Sequence, residues 1–286
     1  MSDCVGVLSL LFVYPVKSCA GIALESTRIA ETGLAHDRAW MIVDQTGRFV
    51  TQRQIPHMCW IGTALTDRGL VLSAPGFESV DVPFDRDGPL RQVTVWHDTV
   101  LAADMGDAVA TWLDAFLAVP GRQFRLVRFA GHSPRLSDPG WTRGVSAPNF
   151  FSDGFPVLVV TQGAIDELNR RLRGLGLDPV GVQRFRPNIV LSGLAPHEED
   201  QIGRLVIPTG SGAVALDLVK PCARCSIPDI NPNTAMAPTG VAATLAGYRG
   251  LARMGGAICV GMNAIVREGA GRTLHTGLPF TADYAF

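Results

Sequence analysis

The sequence predicts a mostly β (α+β) fold with a few short helices. Three observations support this prediction. Turn residues divide the first hundred residues into short apolar segments, helical periodicity is confined to a few stretches, and the second half returns to apolar segments of strand length. A chain of 286 residues is long enough for one large domain or two small ones, and the pattern favours two β-rich units in succession.

Six segments before residue 100 have the length and composition of strands. Turn residues bound them, and Asp44–Gly47, between two of them, is typical of a hairpin loop. Such a density of short strands favours a small barrel or a sandwich. The segments are Gly6–Tyr14, Ile22–Ile29, Ala39–Val43, Phe49–Thr51, Leu70–Ser73 and Val93–Val95.

Two stretches interrupt the β pattern in the middle of the chain. Residues 106–117 are predicted to form a helix, because apolar residues recur at i, i+3, i+4 and i+7 from Val109. Residues 130–150 are rich in Gly, Pro, Ser and Asn. We expect this second stretch to be a long loop and a seam between domains.

The second half opens with an apolar strand, Pro156–Val160, followed by a helix that Thr161 can cap. One face of this helix is apolar between Ile165 and Leu172. A further short helix is predicted near Val241–Tyr248. The remaining predicted strands are Asn188–Ser192, Leu205–Ile207, Val214–Val219 and Ala257–Val266.

The composition argues against some functional classes. A formal net charge of −1 and a pI near 6.6 are not those of a dedicated nucleic-acid binder, which carries a basic excess. The longest apolar run, Val5–Tyr14, is about half of the ~20 residues that a membrane helix needs. The Met-Ser-Asp start lacks the basic region of a targeting signal. We therefore expect a soluble, cytoplasmic protein with no nucleic-acid partner and no membrane span.

Six cysteines are too few and too scattered for a disulfide framework, so the close pair Cys222 and Cys225 needs a chemical explanation. A zinc site would need two further ligands, and no second paired motif exists in the sequence. A thioredoxin-like dithiol places its first cysteine at a helix start, but Pro228, Asn231 and Pro232 disfavour a following helix. The third alternative is two buried cysteines that act as small hydrophobic residues.

Arg224 argues against that third alternative. It lies between the two cysteines in sequence, and burying an unpaired guanidinium costs several kcal/mol, so it should face solvent or an anion. A cation beside a thiol also favours the thiolate, which is the form that binds soft metals. A thiolate next to an anion-binding arginine fits a phosphorylated metal cofactor.

Other cations lie at turns between the predicted strands. Lys17 follows the first strand, and Arg38 precedes an apolar strand beside an aspartate. Arg184 and Arg186 should share one face of an extended segment. The ordinary alternative for each is a solvated side chain or a local ion pair. Thr161, at a helix start, can bind an anion or simply cap the helix.

Four motifs follow one another along the chain: Tyr14-Pro-Val-Lys-Ser18, Asp37-Arg-Ala-Trp40, Phe185-Arg-Pro-Asn-Ile-Val190 and Cys222-Ala-Arg-Cys225. In this order they resemble the MOSC superfamily. The resemblance is strongest to the mitochondrial amidoxime-reducing component and its bacterial YcbX-like relatives. It implies an N-terminal MOSC-type β-barrel domain over residues 1–120 and a β-barrel MOSC domain over residues 121–286.

The resemblance also implies a molybdenum cofactor, a molybdenum–pterin, and the residues that hold it. Cys225 matches the cysteine that coordinates molybdenum, so it is the implied metal ligand and catalytic residue. Most of the implied cofactor-binding residues are polar or cationic, which suits an anionic pterin phosphate. They are Lys17, Ser18, Arg38, Thr161, Arg186, Asn188 and Arg224.

The implied function is the reduction of N-hydroxylated small molecules, such as amidoximes and hydroxylamines, with the cofactor supplying the redox chemistry. The chain ends without the cysteines of the iron–sulfur domain that some bacterial relatives carry. We therefore expect the electrons to come from a separate ferredoxin-, flavodoxin- or cytochrome-type protein. Two alternatives remain: a carrier of the molybdenum cofactor or of its sulfur, like the C-terminal domain of cofactor sulfurases, and a binding domain without metal.

Overall fold

The computed structural model describes residues 2–85, 88–131 and 135–285. The strands in these ranges are β1 (Cys4–Val13), β2 (Ile22–Leu24), β3 (Ser26–Ala30), β4 (Gly33–Leu34), β5 (Trp40–Asp44), β6 (Gly62–Leu65), β7 (Gly69–Ala74), β8 (Phe77–Pro83), β9 (Leu90–Val95), β10 (Asp98–Asp104), β11 (Phe124–Phe129), β12 (Arg135–Leu136), β13 (Pro148–Asn149), β14 (Val157–Thr161), β15 (Ile189–Ser192), β16 (Ile202–Thr209), β17 (Gly212–Ala223), β18 (Cys259–Glu268), β19 (Thr273–His275) and β20 (Pro279–Tyr284). The α-helices are α1 (Asp107–Leu117), α2 (Pro139–Thr142), α3 (Gln162–Gly174) and α4 (Val241–Ala246). Short 3-10 turns occupy Pro56–Trp60, Val182–Phe185, Glu198–Gln201, Ile227–Asp229 and Ala252–Met254.

Seven of the strands form a closed barrel. Around the barrel the order is β15-β14-β18-β17-β16-β20-β1, and β1 pairs with β15 to close the ring. The pairs are antiparallel except for β14 with β15. One face of these strands packs into an apolar core that includes Leu11, Val159, Leu216 and Phe280. This architecture confirms the predicted mostly β fold.

The first strand of the chain belongs to this barrel. β1 pairs with β20 along one edge and with β15 along the other, and the Phe12 N–H donates to the Asn188 carbonyl at 2.9 Å. As a result, the loop that follows β1 emerges beside the turn that precedes β15.

The division into domains at residue 120 stays a prediction.

The residues between β4 and β12 build smaller sheets around a second core. β5, β11, β10 and β9 form a four-stranded sheet, and β6, β7 and β8 form a three-stranded one. The core beneath them contains Trp40, Leu70, Leu113 and Phe124. A hydrogen bond from the Lys17 N–H to the Trp40 carbonyl, at 2.9 Å, ties β5 to the loop after β1.

The three predicted helices are confirmed. α1 occupies the predicted residues 106–117 within one residue, α3 follows directly after Thr161, and α4 begins at Val241 as predicted. The predicted loop over residues 130–150 is wrong in part, because it contains the short strands β12 and β13 and the single helical turn α2. Residues 132–134 of that stretch lie outside the described residues.

Two extended segments were predicted wrongly. The predicted strand Ile22–Ile29 is broken at Glu25 into β2 and β3, which join different sheets. The predicted extended segment at Arg184 and Arg186 is instead a 3-10 turn that ends in a left-handed residue, Arg186, with φ of 55°. Phe185, fully buried between the two arginines, fixes this turn.

None of the helices in the described part of the chain has the length and apolar character to cross a membrane. The cytoplasmic location stays a prediction.

Candidate functional site

Seven of the eight residues implied as metal ligand or cofactor-binding residues line one open cleft. The cleft lies where the loop after β1, the turn before β5, the turn before β15 and the segment after β17 converge. The seven residues are Lys17, Ser18, Arg38, Arg186, Asn188, Arg224 and Cys225.

Lys17 is a buried cation rather than a solvated surface lysine. Its side chain is 6% exposed, Nζ donates to the Phe151 carbonyl at 2.8 Å, and Nζ also pairs with the carboxylate of Asp153. Burial lowers the pKa of Lys17, and the charge of Asp153 opposes that effect. The next residue, Ser18, is also buried, and its carbonyl accepts a hydrogen bond from Gln52 Nε2 at 2.7 Å.

Arg38 forms the ion pair with Asp37 that its sequence neighbours suggest, but the pair is largely buried. Arg38 Nη1 donates to both oxygens of Asp37, at 2.7 and 2.6 Å, and the two side chains are 12% and 2% exposed. Asp37 also accepts from the Tyr14 N–H at 2.9 Å. Arg38 Nη2 donates to the carbonyl of Arg186 at 2.9 Å. The carboxylate therefore fixes the guanidinium against the loop after β1.

Arg186 and Arg38 contact the same aromatic ring. Their guanidinium carbons lie 4.3 and 4.4 Å from the centroid of the Tyr14 ring. Burial, and then the charge of Arg38, lowers the pKa of Arg186. Arg186 Nη1 donates to the Cys19 carbonyl at 2.7 Å, but its buried Nη2 has no hydrogen-bond partner within the described residues. Two like charges and an unpaired N–H group side by side favour an anionic ligand.

The backbone is strained at three of the cleft residues. Ser18, Arg38 and Arg186 have φ angles of 65°, 48° and 55°. Residues other than Gly adopt this left-handed region at a cost of roughly 1–3 kcal/mol, and such strain concentrates at functional sites. All three residues lie outside the strands, and all three line the cleft.

Asn188 lines the cleft, but its amide is engaged by the backbone. Oδ1 accepts from the Leu158 N–H at 3.0 Å, and Nδ2 donates to the Phe12 carbonyl at 3.3 Å. The side chain is 2% exposed. Asn188 therefore joins β1 to β14 and shapes the cleft wall.

The two cysteines of the pair have different surroundings. Cys225 lies just beyond the end of β17 and is exposed, whereas Cys222 lies in the strand and is partly buried. Arg224 Nη1 donates to Cys222 Sγ at 3.0 Å, so its sulfur contact is with Cys222. Arg224 Nη2 donates to the Phe185 carbonyl at 2.8 Å, and its buried Nε has no partner in the part of the chain that is described. Over the same ranges, no three His, Cys, Asp or Glu side chains are grouped as ligands for a metal ion.

The structure does not bring Thr161 into the cleft. Its side chain is fully buried, accepts from the Ala164 N–H at 3.3 Å as the cap of α3, and donates to Glu199 Oε2 at 2.6 Å. The capping interpretation of Thr161 is therefore confirmed. An anion at this position would meet the carboxylate of Glu199.

Glu199 gives the first testable prediction. Burial raises the pKa of Glu199 to about 7, with a smaller contribution from Asp200 and against the hydrogen bond from Thr161. The folded state therefore favours protonated Glu199. The protonated side chain contributes fully to stability below the ordinary pKa of 4.5, and this contribution is lost as the pH rises through 7. We expect Glu199→Gln to raise the free energy of unfolding at about pH 8 by roughly 2 kcal/mol and to leave it nearly unchanged at about pH 5. Urea unfolding at both pH values measures this difference, and an equal change at the two would contradict the prediction.

Two further charged residues that the sequence did not indicate also line the cleft, Arg53 and Asp153. Asp153 lies in the stretch before β14, where the Asp-Gly dipeptide is an ordinary turn signal. Its side chain is 69% exposed but pairs with the buried Lys17. Arg53 follows β5 on a loop, and nothing in the local sequence distinguishes it from a surface arginine.

The cleft has an excess of positive charge. Five cationic side chains line it, and two of these, Lys17 and Arg38, pair with carboxylates. The structure gives the other three no ion pair over the described ranges: Arg53, Arg186 and Arg224. This excess favours an anion with more than one charge.

Comparisons with known proteins identify both halves of the chain. The MOSC N-terminal beta barrel domain matches residues 5–120, and the MOSC domain matches residues 147–270. Mitochondrial amidoxime reducing component 2 of Rattus norvegicus is 30% identical over 240 residues, which cover 80% of this chain and 68% of that protein. Mitochondrial amidoxime-reducing component 1 of Homo sapiens is 31% identical over 239 residues, with 80% and 68% covered. Molybdenum cofactor sulfurase of Solanum lycopersicum is 30% identical over 263 residues, which cover 85% of this chain and 31% of that protein.

The cleft draws residues from both matched segments. Lys17, Ser18 and Arg38 lie in the first segment, and the cysteine pair lies in the second. The two matched segments also include the strands next to these cleft residues. The chain therefore belongs to the family of MOSC-domain proteins that includes the mitochondrial amidoxime-reducing components.

Proposed function

We propose that this protein is a molybdenum-cofactor-dependent oxidoreductase that reduces N-hydroxylated compounds such as amidoximes and hydroxylamines. Its relatives include amidoxime-reducing components and molybdenum cofactor sulfurases, so the family supports a function connected with this cofactor. One observation carries the more specific proposal. An exposed thiol, Cys225, shares a cleft with two partly buried arginines, Arg186 and Arg224, that have no ion pair and each keep a buried N–H group without a partner among the described residues.

The residues of the cleft fit an anionic pterin cofactor that takes one ligand from the protein. Arg186 Nη2 and Arg224 Nε are buried and lack hydrogen-bond acceptors within the described ranges. A buried, unsatisfied N–H group on a charged side chain costs more than the ~1–3 kcal/mol of a neutral one, unless a ligand accepts from it. Phosphate and pterin oxygens are such acceptors. The excess positive charge matches the charge of the phosphate.

We assign the roles within the cleft by position. Cys225 is the metal ligand, because it is exposed at the end of β17 and can contact a group that enters from solvent. Lys17, Arg38, Arg186 and Arg224 neutralise and orient the anionic part of the cofactor. Ser18 lies beside Lys17 and offers a hydroxyl, while Asn188 shapes the wall. Thr161 has no direct part in the proposal, because Glu199 takes its hydroxyl.

When bound, the cofactor supplies the redox-active metal at which the N–O bond is reduced. An amidoxime takes up two electrons and two protons in this reaction and yields an amidine and water. The residues of the chain position the cofactor and the substrate. We propose that a separate ferredoxin-, flavodoxin- or cytochrome-type protein delivers the electrons, which the exposure of Cys225 at the cleft mouth would permit.

The direct test is reduction of benzamidoxime by protein produced in a host that makes the cofactor. We expect about one molybdenum per chain by elemental analysis and anaerobic formation of benzamidine with reduced benzyl viologen as electron source. The same protein stripped of its cofactor serves as the control and should be inactive. Protein that holds molybdenum at this level but leaves benzamidoxime unchanged would refute the proposed reaction.

The similarity to molybdenum cofactor sulfurase supports a second candidate, a carrier of the cofactor or of its sulfur. The matched segment is 31% of that sulfurase, so it corresponds to one part of a longer protein. A carrier would release its cofactor to an acceptor apoenzyme and would not turn over an N-hydroxylated substrate. Incubating the loaded protein with a cofactor-free molybdoenzyme, and measuring metal transfer alongside benzamidoxime reduction, separates the two functions.

A further inference from the structure

Arg53 and Trp96 form a contact at the edge of the cleft, which we call the rim. Arg53 lines the cleft and is exposed, and Trp96 packs against it. The guanidinium carbon of Arg53 lies 4.7 Å from the centroid of the Trp96 ring, and its Nε donates to Thr51 Oγ1 at 3.5 Å. Trp96 is 38% exposed, and its ring centroid lies 5.9 Å from Lys17 Nζ. The rim therefore restricts the orientation of an exposed cation of the cleft.

Trp96 has a conformation that the turn itself does not favour. It lies in the two-residue connection between β9 and β10 with φ of 56°, a left-handed conformation that Gly or Asn adopts at lower cost. Its side-chain contacts compensate for this cost. Nε1 donates to Asp153 Oδ1 at 3.2 Å, the ring packs 5.1 Å from the Phe49 ring, and Asp153 in turn pairs with Lys17. The tryptophan thus links the rim to the cleft interior.

Arg53 differs from the other cations of the cleft. Arg38, Arg186 and Arg224 are partly buried and donate to backbone carbonyls. Arg53 is exposed and has neither a carboxylate nor a carbonyl partner in the described chain. Arg53 and Cys225 are both exposed residues of the cleft lining. The proposed function assigns the cofactor to Lys17, Arg38, Arg186 and Arg224, so Arg53 is available to bind a substrate.

We propose that Arg53 is a specificity-determining residue that selects substrates carrying a carboxylate, and that Trp96 is its positioning residue. The inference rests on the proposed function and names its substrate class: N-hydroxylated compounds that also carry a carboxylate. A guanidinium binds a carboxylate through two parallel hydrogen bonds. One cation also matches one negative charge, so a carboxylate fits better than a phosphate dianion. Because Trp96 already restricts Arg53, less conformational freedom is lost on binding.

The test compares benzamidoxime with 4-carboxybenzamidoxime, which differ only in the carboxylate. For the wild-type holoprotein we expect kcat/KM to be about tenfold higher for the carboxylated compound, with the difference mainly in KM. Arg53→Gln should lower this ratio about tenfold, Arg53→Lys should restore part of it, and Trp96→Phe should lower it about threefold. The matched control is Arg68→Gln, which removes the same charge from an exposed turn outside the cleft and should keep the wild-type ratio.

Calorimetric binding of both compounds to the holoprotein tests the inference independently of turnover. Tighter, Arg53-dependent binding of 4-carboxybenzamidoxime supports the inference even if neither compound is reduced. The lack of reduction would then overturn the proposed function instead. An unchanged ratio in Arg53→Gln, with benzamidoxime still reduced, overturns the inference and leaves the proposed function intact. Loss of molybdenum from Arg53→Gln also overturns it, because Arg53 would then hold the cofactor.

Discussion

Replacing Cys225 with serine is expected to remove molybdenum from the protein and to lower benzamidoxime reduction by at least about 100-fold. Substitutions of residues that only support a metal ligand already lower metal affinity or activity by about 10–100-fold, and loss of the ligand itself should cost more. Serine keeps the size of the side chain, but its hydroxyl stays protonated and is a poorer metal ligand than a thiolate. The exposure of Cys225 predicts little change in the free energy of unfolding.

Cys222→Ser is the matched control for this experiment. Cys222 lies three residues away in the same motif, but its sulfur accepts a hydrogen bond from Arg224 and is partly buried. A serine hydroxyl can accept the same bond, so we expect this variant to keep its molybdenum. Elemental analysis and thermal unfolding of both variants give the answer. If the two variants retain molybdenum equally, Cys225 is not the ligand.

The barrel was predictable where strands are long and apolar, and less so elsewhere. β1, β14, β17 and β18 were all anticipated, because buried strands leave continuous apolar runs in the sequence. β8 was missed because most of its residues are exposed and carry no such signal. The pairing of β1 with β15 and β20 was not predicted either, since local periodicity contains no information about which distant strands meet.

The candidate site was predictable as a set of residues, but its geometry was not. The order of the motifs identified seven residues that line one cleft. Strand periodicity placed Arg184 and Arg186 on one face of an extended segment, whereas the residues form a 3-10 turn around which only Arg186 lines the cleft. Thr161 has the signature of both an anion site and a helix cap, and its hydrogen bond to Glu199, 38 residues further along the chain, could not be inferred from that signature. Tertiary contacts of this kind cannot be inferred from neighbouring residues.

Arg184 and Arg186 have different surroundings, and this difference provides the second large prediction. Arg184 Nη1 donates to Thr239 Oγ1 at 2.8 Å and to the Pro228 carbonyl at 3.3 Å, and Arg184 does not line the cleft with Arg186. We expect Arg186→Gln to weaken cofactor retention by about 10–100-fold, because the cofactor loses a charged donor on the cleft wall. Arg184→Gln should retain molybdenum and instead lose about 1–2 kcal/mol of stability through its broken hydrogen bonds.

The sign of the stability change distinguishes a ligand-binding role for Arg186 from a structural one. In the cofactor-free protein its guanidinium is desolvated, lies against the same ring as Arg38, and keeps one buried N–H group without a partner in the described chain. Removing a buried charge from such surroundings is often neutral or stabilising. Cofactor-free Arg186→Gln should therefore unfold at the same temperature as cofactor-free wild type or higher, although the loaded variant loses its cofactor sooner. If the cofactor-free variant is instead several kcal/mol less stable, Arg186 holds the fold together, and its place in the cleft needs no ligand to explain it.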